Sequence, residues 1–399
     1  MRRIVRKKYS DLAVSLIGSP DIKVITGVRR CGKSCFLDDL VDYVMANYPV
    51  SNVIKINFND FDWDFLRDGH ALHSYVMEHY VEGMENFLFI DEVQMCDGFE
   101  RVLNSLHSKG LFDIFVTGSN AFLLSSDLAT LFTGRTFPVE MFPFSYSEYL
   151  TYFEDQCCDK SFDEYVRKGG MAGSYIYSDD RQREVYLTEV FNTLILRDIR
   201  QKFHIRNQGL LVNVTEFLMD NIGNLCSAKS IANALVKSGT RISDKTVGKY
   251  IEYLCNAFLF YRVRRYDLRG KKYLSSNEKY YLSDTSFRLA VLGNRNADYG
   301  RIYENIVAIE LLRRGYQLYV GVLYDKEIDF VAQRGDEKLY IQVAASISED
   351  ATFMREVKSL LSIRDAYPKI LLARIGVPEY QYEGIRVIDI AEWLGDFRV

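Results

Sequence analysis

Two glycines separated by four residues and followed at once by lysine and serine form the stretch Gly27-Val28-Arg29-Arg30-Cys31-Gly32-Lys33-Ser34. Glycines let backbone N–H groups curl around an anion, and a helix that starts there turns the positive end of its dipole toward the same point. Lys33 would reach the β- and γ-phosphates of a nucleoside triphosphate, and the Ser34 hydroxyl would sit on Mg²⁺. Arg29, Arg30, Cys31 and Cys35 complete the phosphate-binding set with Gly27 and Gly32. A second signal is the apolar run at 87–90, which ends in Asp91 and Glu92. The first acid after such a run can orient Mg²⁺ through water, and the second can polarise the attacking water. The chemistry these residues suit is Mg²⁺-dependent binding of ATP and hydrolysis to ADP.

That chemistry needs strands that end at the site and helices that start there. The β-branched run at 22–26 leads into the loop, and apolar positions from Cys35 to Val44 recur with helical spacing. An alternating strand follows at 53–58, then a helix at 72–81, the strand carrying Asp91, a helix near 99–108 and a strand at 112–117. This last strand closes on Gly118-Ser119-Asn120, where Asn120 or Ser119 would hydrogen-bond the γ-phosphate or its water; a plain Gly-Ser-Asn turn is the alternative. Arg135 precedes a strand at 136–142 and reads in two ways: a charge-neutralising arginine, in cis or from a neighbouring subunit, or a structural salt-bridge residue. The arginines and lysines of residues 1–20 read as solvated, with lining of the nucleotide base site as the alternative.

A chain of 399 residues exceeds one ordinary core, and 48% hydrophobic with 26% charged residues is a folded composition. The formal net charge of −4 gives no global attraction to nucleic acid, so such contact needs a local patch. Seven cysteines without a C-x-x-C pair suit a reducing, cytoplasmic setting. No apolar run is long enough to span a bilayer, and no membrane partner is expected.

Residues 145–225 read as helices, including 201–214 and 214–221. Ser227 and Ser243 then cap two short helices, 228–235 and 244–254, spaced like a helix-turn-helix. A hairpin follows, 258–266 and 279–282, and its basic loop (Arg264, Arg265, Arg269, Lys271, Lys272) would be a wing that meets DNA phosphates, a solvated hairpin, or a surface that packs on protein. In the last stretch, Glu304 and Glu310 fall on a helix at 303–313, a strand follows at 316–321, and Glu327-Ile328-Asp329 and Gln342-Val343-Ala344 follow on further strands. This is the plan of a PD-(D/E)xK nuclease with two departures. Gln342 stands in place of an acid and Ala344 in place of the lysine, so cleavage is not expected.

The loop, Phe89-Ile90-Asp91-Glu92-Val93-Gln94, Thr117-Gly118-Ser119-Asn120, Thr133-Gly134-Arg135 and Phe142-Pro143-Phe144-Ser145 occur together in this order, with Glu148-Tyr149 after them. So do Gly169-Gly170-Met171-Ala172, Leu196-Arg197-Asp198-Ile199, Tyr280-Tyr281-Leu282-Ser283-Asp284-Thr285 and Tyr303-Glu304-Asn305. The series resembles the prokaryotic AAA-type ATPases that carry a C-terminal domain of unknown function. The resemblance implies an ATPase fold, a winged-helix segment and a nuclease-like C-terminal fold. The expected architecture is α/β: a P-loop parallel sheet of the additional-strand (AAA-type) class over 1–225, a winged helix over 226–285, and a degenerate nuclease-like α/β domain over 286–399. The expected function is an ATP-driven switch or motor on DNA, or an ATP-gated protein-interaction switch. Oligomers are compatible with either.

Overall fold

The computed structural model describes residues 2–118, 134–270, 272–293 and 298–395. Ser119, Asn120, Thr133 and Lys271, which the sequence singles out, lie outside the described residues.

Short β-branched and aromatic runs separated by helical stretches build a parallel sheet, because each strand-to-strand return is made by a crossover. In the first unit, Arg3–Met141 with Asn256–Phe258, that sheet has five strands. They are β1 (Ile22–Thr26), β2 (Ser51–Asn57), β3 (Glu85–Asp91), β4 (Asp113–Thr117) and β5 (Thr136–Glu140), in the order β2-β3-β4-β1-β5. Every neighbouring pair is parallel. β4 lies between the strand that feeds the glycine loop and the strand that carries Asp91, the arrangement that defines the additional-strand class. β1 is buried along its whole length, as a strand with helices over both faces must be. Helices α1 (Lys7–Ser15), α2 (Lys33–Asn47), α3 (Gly69–Glu78) and α4 (Phe99–Lys109) accompany the sheet. α3 begins three residues earlier than periodicity alone suggests, because the Asp68 carboxylate accepts the amides of His70 and Ala71 and fixes the N-terminus there. Val24, Ile56, Leu88, Ile90, Leu103, Leu106 and Val116 form its core, each such side chain contributing about 1.5–3 kcal/mol when fully buried.

The second unit comprises Phe142–Cys255 and Leu259–Val399, together with the first two residues. Its helices α5 (Tyr146–Phe153), α6 (Asp159–Lys168), α7 (Asp180–Thr193), α8 (Gln208–Asp220), α9 (Ala228–Lys237) and α10 (Asp244–Asn256) precede a mixed sheet. That sheet contains β6 (Phe260–Asp267), β7 (Lys272–Leu282), β8 (Gln317–Leu323), β9 (Lys326–Arg334), β10 (Glu337–Ser346), β11 (Lys369–Arg374), β12 (Tyr380–Tyr382) and β13 (Ile385–Asp389). Its order is β12-β13-β11-β10-β9-β8-β6-β7. Helices α11 (Thr285–Leu292) and α12 (Tyr299–Arg313) lie between β7 and β8 in the chain, α13 (Asp350–Leu361) follows β10, and α14 (Ile390–Gly395) ends the described chain.

Three further boundaries differ from expectation. The helical segment after residue 142, expected to extend the ATPase domain to 225, belongs to the second unit. Its aromatic side chains decide this: Tyr146, Tyr149, Phe162 and Tyr165 are buried in one core with Tyr303, Ile306, Phe330 and Trp393. The hairpin expected to form a wing is continuous with the eight-stranded sheet, since β6 pairs antiparallel with β7 on one side and parallel with β8 on the other. The helix expected at 201–214 starts instead at Gln208, where the Asn207 side chain accepts the Leu210 amide.

Candidate functional site

The loop after β1 can curl tightly only because of its glycines. Gly27 has φ +139°, and a Cβ there would lie 2.1 Å from the Met141 carbonyl oxygen. Gly32 has φ +107° at the N-cap of α2. Arg30, an L-residue, is also held in the left-handed region at φ 66°, a conformation that costs on the order of 1–3 kcal/mol and clusters at functional sites. Lys33 opens α2, and its buried ammonium donates to the carbonyls of Gly27 (3.0 Å) and Val28 (3.1 Å) inside the curl. Cys31 is buried, while Ser34 and Cys35 are exposed. Arg6 departs from the solvated role expected of residues 1–20. It is 5% exposed, stacks 4.5 Å over the Tyr9 ring and donates to the Cys31 carbonyl at 3.1 Å.

At the end of β3 the two acids occupy distinct settings. Asp91 is 3% exposed. Burial pushes its carboxyl above the ordinary range, opposed by hydrogen bonds from Thr117 and Ser34. The Thr117 hydroxyl donates to Asp91 and accepts the Glu92 amide at 3.0 Å, so both capacities of one hydroxyl are used. Glu92 is half-buried at φ 54° and turns the chain out of the strand; its carboxylate accepts from the Gln94 side chain. Thr117 was missed because a threonine in an apolar strand reads as a β-former. The signal that could have found it is its position: the last strand residue beside the acid-bearing strand.

Ser34, Lys33, Asp91 and Glu92 are therefore brought together. Ser34 and Asp91 offer a hydroxyl and a carboxylate oxygen side by side, the hard donors that Mg²⁺ takes. Arg135 is not brought to them. Its carbonyl accepts the amide of Ile22, the first residue of β1, whereas the loop follows Thr26, the last. Along a strand that separation is about 13 Å, and the exposed guanidinium donates to Asn104 at 3.2 Å. The charge-neutralising reading, in cis or toward a neighbouring subunit, and the structural reading of Arg135 all stand as proposals.

In the second unit α12 and β9 bring Glu304 and Asp329 together, with Lys279 of β7 between them. The Lys279 ammonium lies 2.8 Å from Glu304, 2.9 Å from Glu327 and 3.5 Å from Asp329. Burial works against its charge, but Glu304, Asp329 and Glu327 outweigh it and raise its pKa above the ordinary lysine range. Gln342 accepts the Asp329 amide at 3.3 Å and donates to Glu356 at 2.9 Å. On the basic hairpin, Arg264 pairs with Glu278 at 3.7 Å, Arg269 lies 5.4 Å over the Tyr324 ring, Arg265 is half-buried and Lys272 is exposed.

A five-stranded parallel sheet, a glycine loop opening a helix from the strand beyond β4, and paired acids closing β3 define a P-loop ATPase of the AAA type. Residues 19–150 match the AAA domain family, 159–298 a domain of unknown function (DUF8612), and 299–393 a further domain of unknown function (DUF4143). An uncharacterized protein of Haemophilus influenzae is 38% identical over 397 residues, covering 98% of each chain. Uncharacterized protein MJ1544 of Methanocaldococcus jannaschii is 28% identical over 402 residues, covering 95% of this chain and 86% of its own. The Aeropyrum pernix ORC1 protein, solved in complex with DNA, aligns with a TM-score of 0.31 and 11% identity over 77% of this chain and 93% of its own. The chain belongs to the family of ATPases in which an AAA domain precedes two domains of unknown function.

Proposed function

We propose that this protein binds ATP with Mg²⁺ at the Gly27–Ser34 loop, hydrolyses it, and uses the difference between ATP and ADP to switch its second unit. The observation that carries the reading is the Thr117 hydroxyl, which fixes Asp91 and the Glu92 backbone as one rigid pair facing Ser34 and Lys33. When bound, Mg²⁺ held by Ser34 and Asp91 would neutralise phosphate charge. Lys33 exchanges its two carbonyl partners for phosphate oxygens, and Glu92 orients and deprotonates the attacking water. Asn120 stays the candidate that senses the γ-phosphate. Arg29, Arg30, Cys31 and Cys35 line the loop.

The route from nucleotide to second unit starts at Gly27. Its Cα packs against the Met141 backbone so closely that no side chain fits, and the Met141 amide donates to Thr26 at 2.8 Å. Phe142, the next residue, begins the second unit. A loop that shifts on phosphate release therefore acts on the residue that leads out of the ATPase sheet.

The target is DNA, met by Arg264, Arg265, Arg269, Lys271 and Lys272 with the capped helices α9 and α10. The second reading, an ATP-gated docking surface for protein, is favoured by the ion pair of Arg264 with Glu278, which offsets part of the positive charge. In both readings the protein acts in the reducing cytoplasm, in keeping with its seven free cysteines. Among the described residues no helix is long and apolar enough to cross a membrane. ATPase rate with and without DNA, with particle size measured in ATP and in ADP, tests the proposal. Hydrolysis stimulated by DNA supports the first reading. Unstimulated hydrolysis with a nucleotide-dependent change in size supports the second. No hydrolysis overturns both.

A further inference from the structure

The nuclease-like plan of the second unit implies a divalent cation between Glu304 and Asp329, and the residues present do not fit one. We propose that the Lys279 ammonium is the resident cation of this pocket and makes it independent of metal. β7 delivers Lys279 into the space bounded by Glu304 of α12 and by Glu327 and Asp329 of β9, and its three contacts of 2.8, 2.9 and 3.5 Å enclose the nitrogen. Lys279 is only 3% exposed, and Glu304 and Asp329 are each 8% exposed. A buried ammonium held by three carboxylates repels a second cation brought to the same oxygens.

The remaining ligands are committed as well. Glu304 Oε1 takes the Lys279 ammonium and the Tyr281 hydroxyl (2.6 Å), and Asp329 Oδ2 takes the Val343 amide (3.0 Å). Gln342 is neutral and spends its amide on Asp329 and Glu356, while Glu356 is paired with Arg355 at 2.7 Å. Among the described residues no group of three or more His, Cys, Asp or Glu is placed to hold a metal ion. The substitutions are therefore coherent: an acid is replaced by an amide at Gln342, the lysine position holds Ala344, and a lysine arrives from β7. The pocket ties the β6–β7 hairpin to α12 and β9 in place of doing Mg²⁺ chemistry. This inference does not depend on the nucleotide-switch reading.

The test is Mn²⁺ titration of the full chain, without nucleotide, for the wild type, Glu304→Gln, Lys279→Ala and Lys279→Ala with Glu304→Gln. The wild type should show no site sensitive to Glu304→Gln. Lys279→Ala should gain one Mn²⁺ site at least about tenfold tighter than any in the parent, and the added Glu304→Gln should abolish it. A folded Lys279→Ala protein with parental Mn²⁺ affinity overturns the proposal, as does a wild-type Mn²⁺ site that Glu304→Gln removes. If Lys279→Ala does not fold, Lys279→Met keeps most of the apolar stem. Mn²⁺-dependent recovery of folding in either variant supports the proposal, and failure of Mn²⁺ to restore either one overturns it.

Discussion

The hydroxyl of Thr117 donates to the buried carboxylate of Asp91, joining the last residues of two neighbouring strands, β4 and β3. The same oxygen accepts the Glu92 amide at 3.0 Å. Thr117→Val keeps the shape and removes both bonds, leaving a buried carboxylate and an amide without that partner. Stability should fall by about 1–3 kcal/mol. Steady-state ATP hydrolysis should fall roughly 10- to 100-fold, as for partners that orient a metal ligand. A Thr117→Val protein with parental kcat would show that Asp91 and Glu92 hold their geometry without it.

Arg6 braces the loop from outside through the Cys31 carbonyl. Arg6→Met removes the donor while keeping an unbranched apolar side chain. ATP affinity should fall about tenfold, the equivalent of roughly 1.4 kcal/mol, with kcat at saturation little changed. Equilibrium titration with a fluorescent ATP analogue reads this; unchanged affinity would make Arg6 a structural residue only.

Much of the candidate site's geometry was legible because its signals are local. The glycine spacing, the adjacent Lys33-Ser34 and the Asp91-Glu92 pair at a strand end each sit within a few residues of the elements that place them. Thr117, Arg6 and Lys279 were not legible, because each acts across the fold: Arg6 on a carbonyl 25 residues away, Thr117 on an acid 26 away, Lys279 on Glu304 25 away. The unit that the helical stretch after 142 joins is not legible for a similar reason. Its amphipathic pattern shows that Tyr146, Tyr149 and Tyr165 are buried but not against which core.

Asp284 gives a pH-dependent prediction. It is buried in the second unit, with its carboxylate accepting the amides of Gly170 (2.6 Å) and Ser286 (2.9 Å). Burial raises its pKa above the ordinary 3.8, against those hydrogen bonds. A raised native pKa means that the folded state holds the proton more tightly than the unfolded chain does. The stabilisation is full below about 4 and is lost as pH rises through the native value. Measured by urea unfolding across pH, the stability of the wild type relative to Asp284→Asn should therefore decline with rising pH. A difference that moves in favour of the wild type would contradict the sign.

The basic hairpin separates the two proposed targets. If Arg269, Lys271 and Lys272 neutralise phosphates, their triple alanine variant should bind all DNA sequences about equally less well. It should also flatten the log–log salt dependence by about one unit per lost contact. Basal ATPase without DNA should stay at the parental rate. A parent that does not bind DNA at low salt, or a triple variant that binds as the parent does, gives first place to the protein-docking reading.

The central claim is hydrolysis at the Lys33–Glu92 site, and single-turnover cleavage of ATP tests it most directly, comparing the wild type, Glu92→Gln and Lys33→Ala under matched Mg²⁺. Glu92→Gln keeps volume and hydrogen bonding but loses the base, so ATP binding should persist while hydrolysis falls by roughly 10²–10⁴-fold. Lys33→Ala should lose ATP binding with the fold intact. A Glu92→Gln protein that cleaves ATP at the parental rate, or a folded Lys33→Ala protein with parental affinity, would contradict the account.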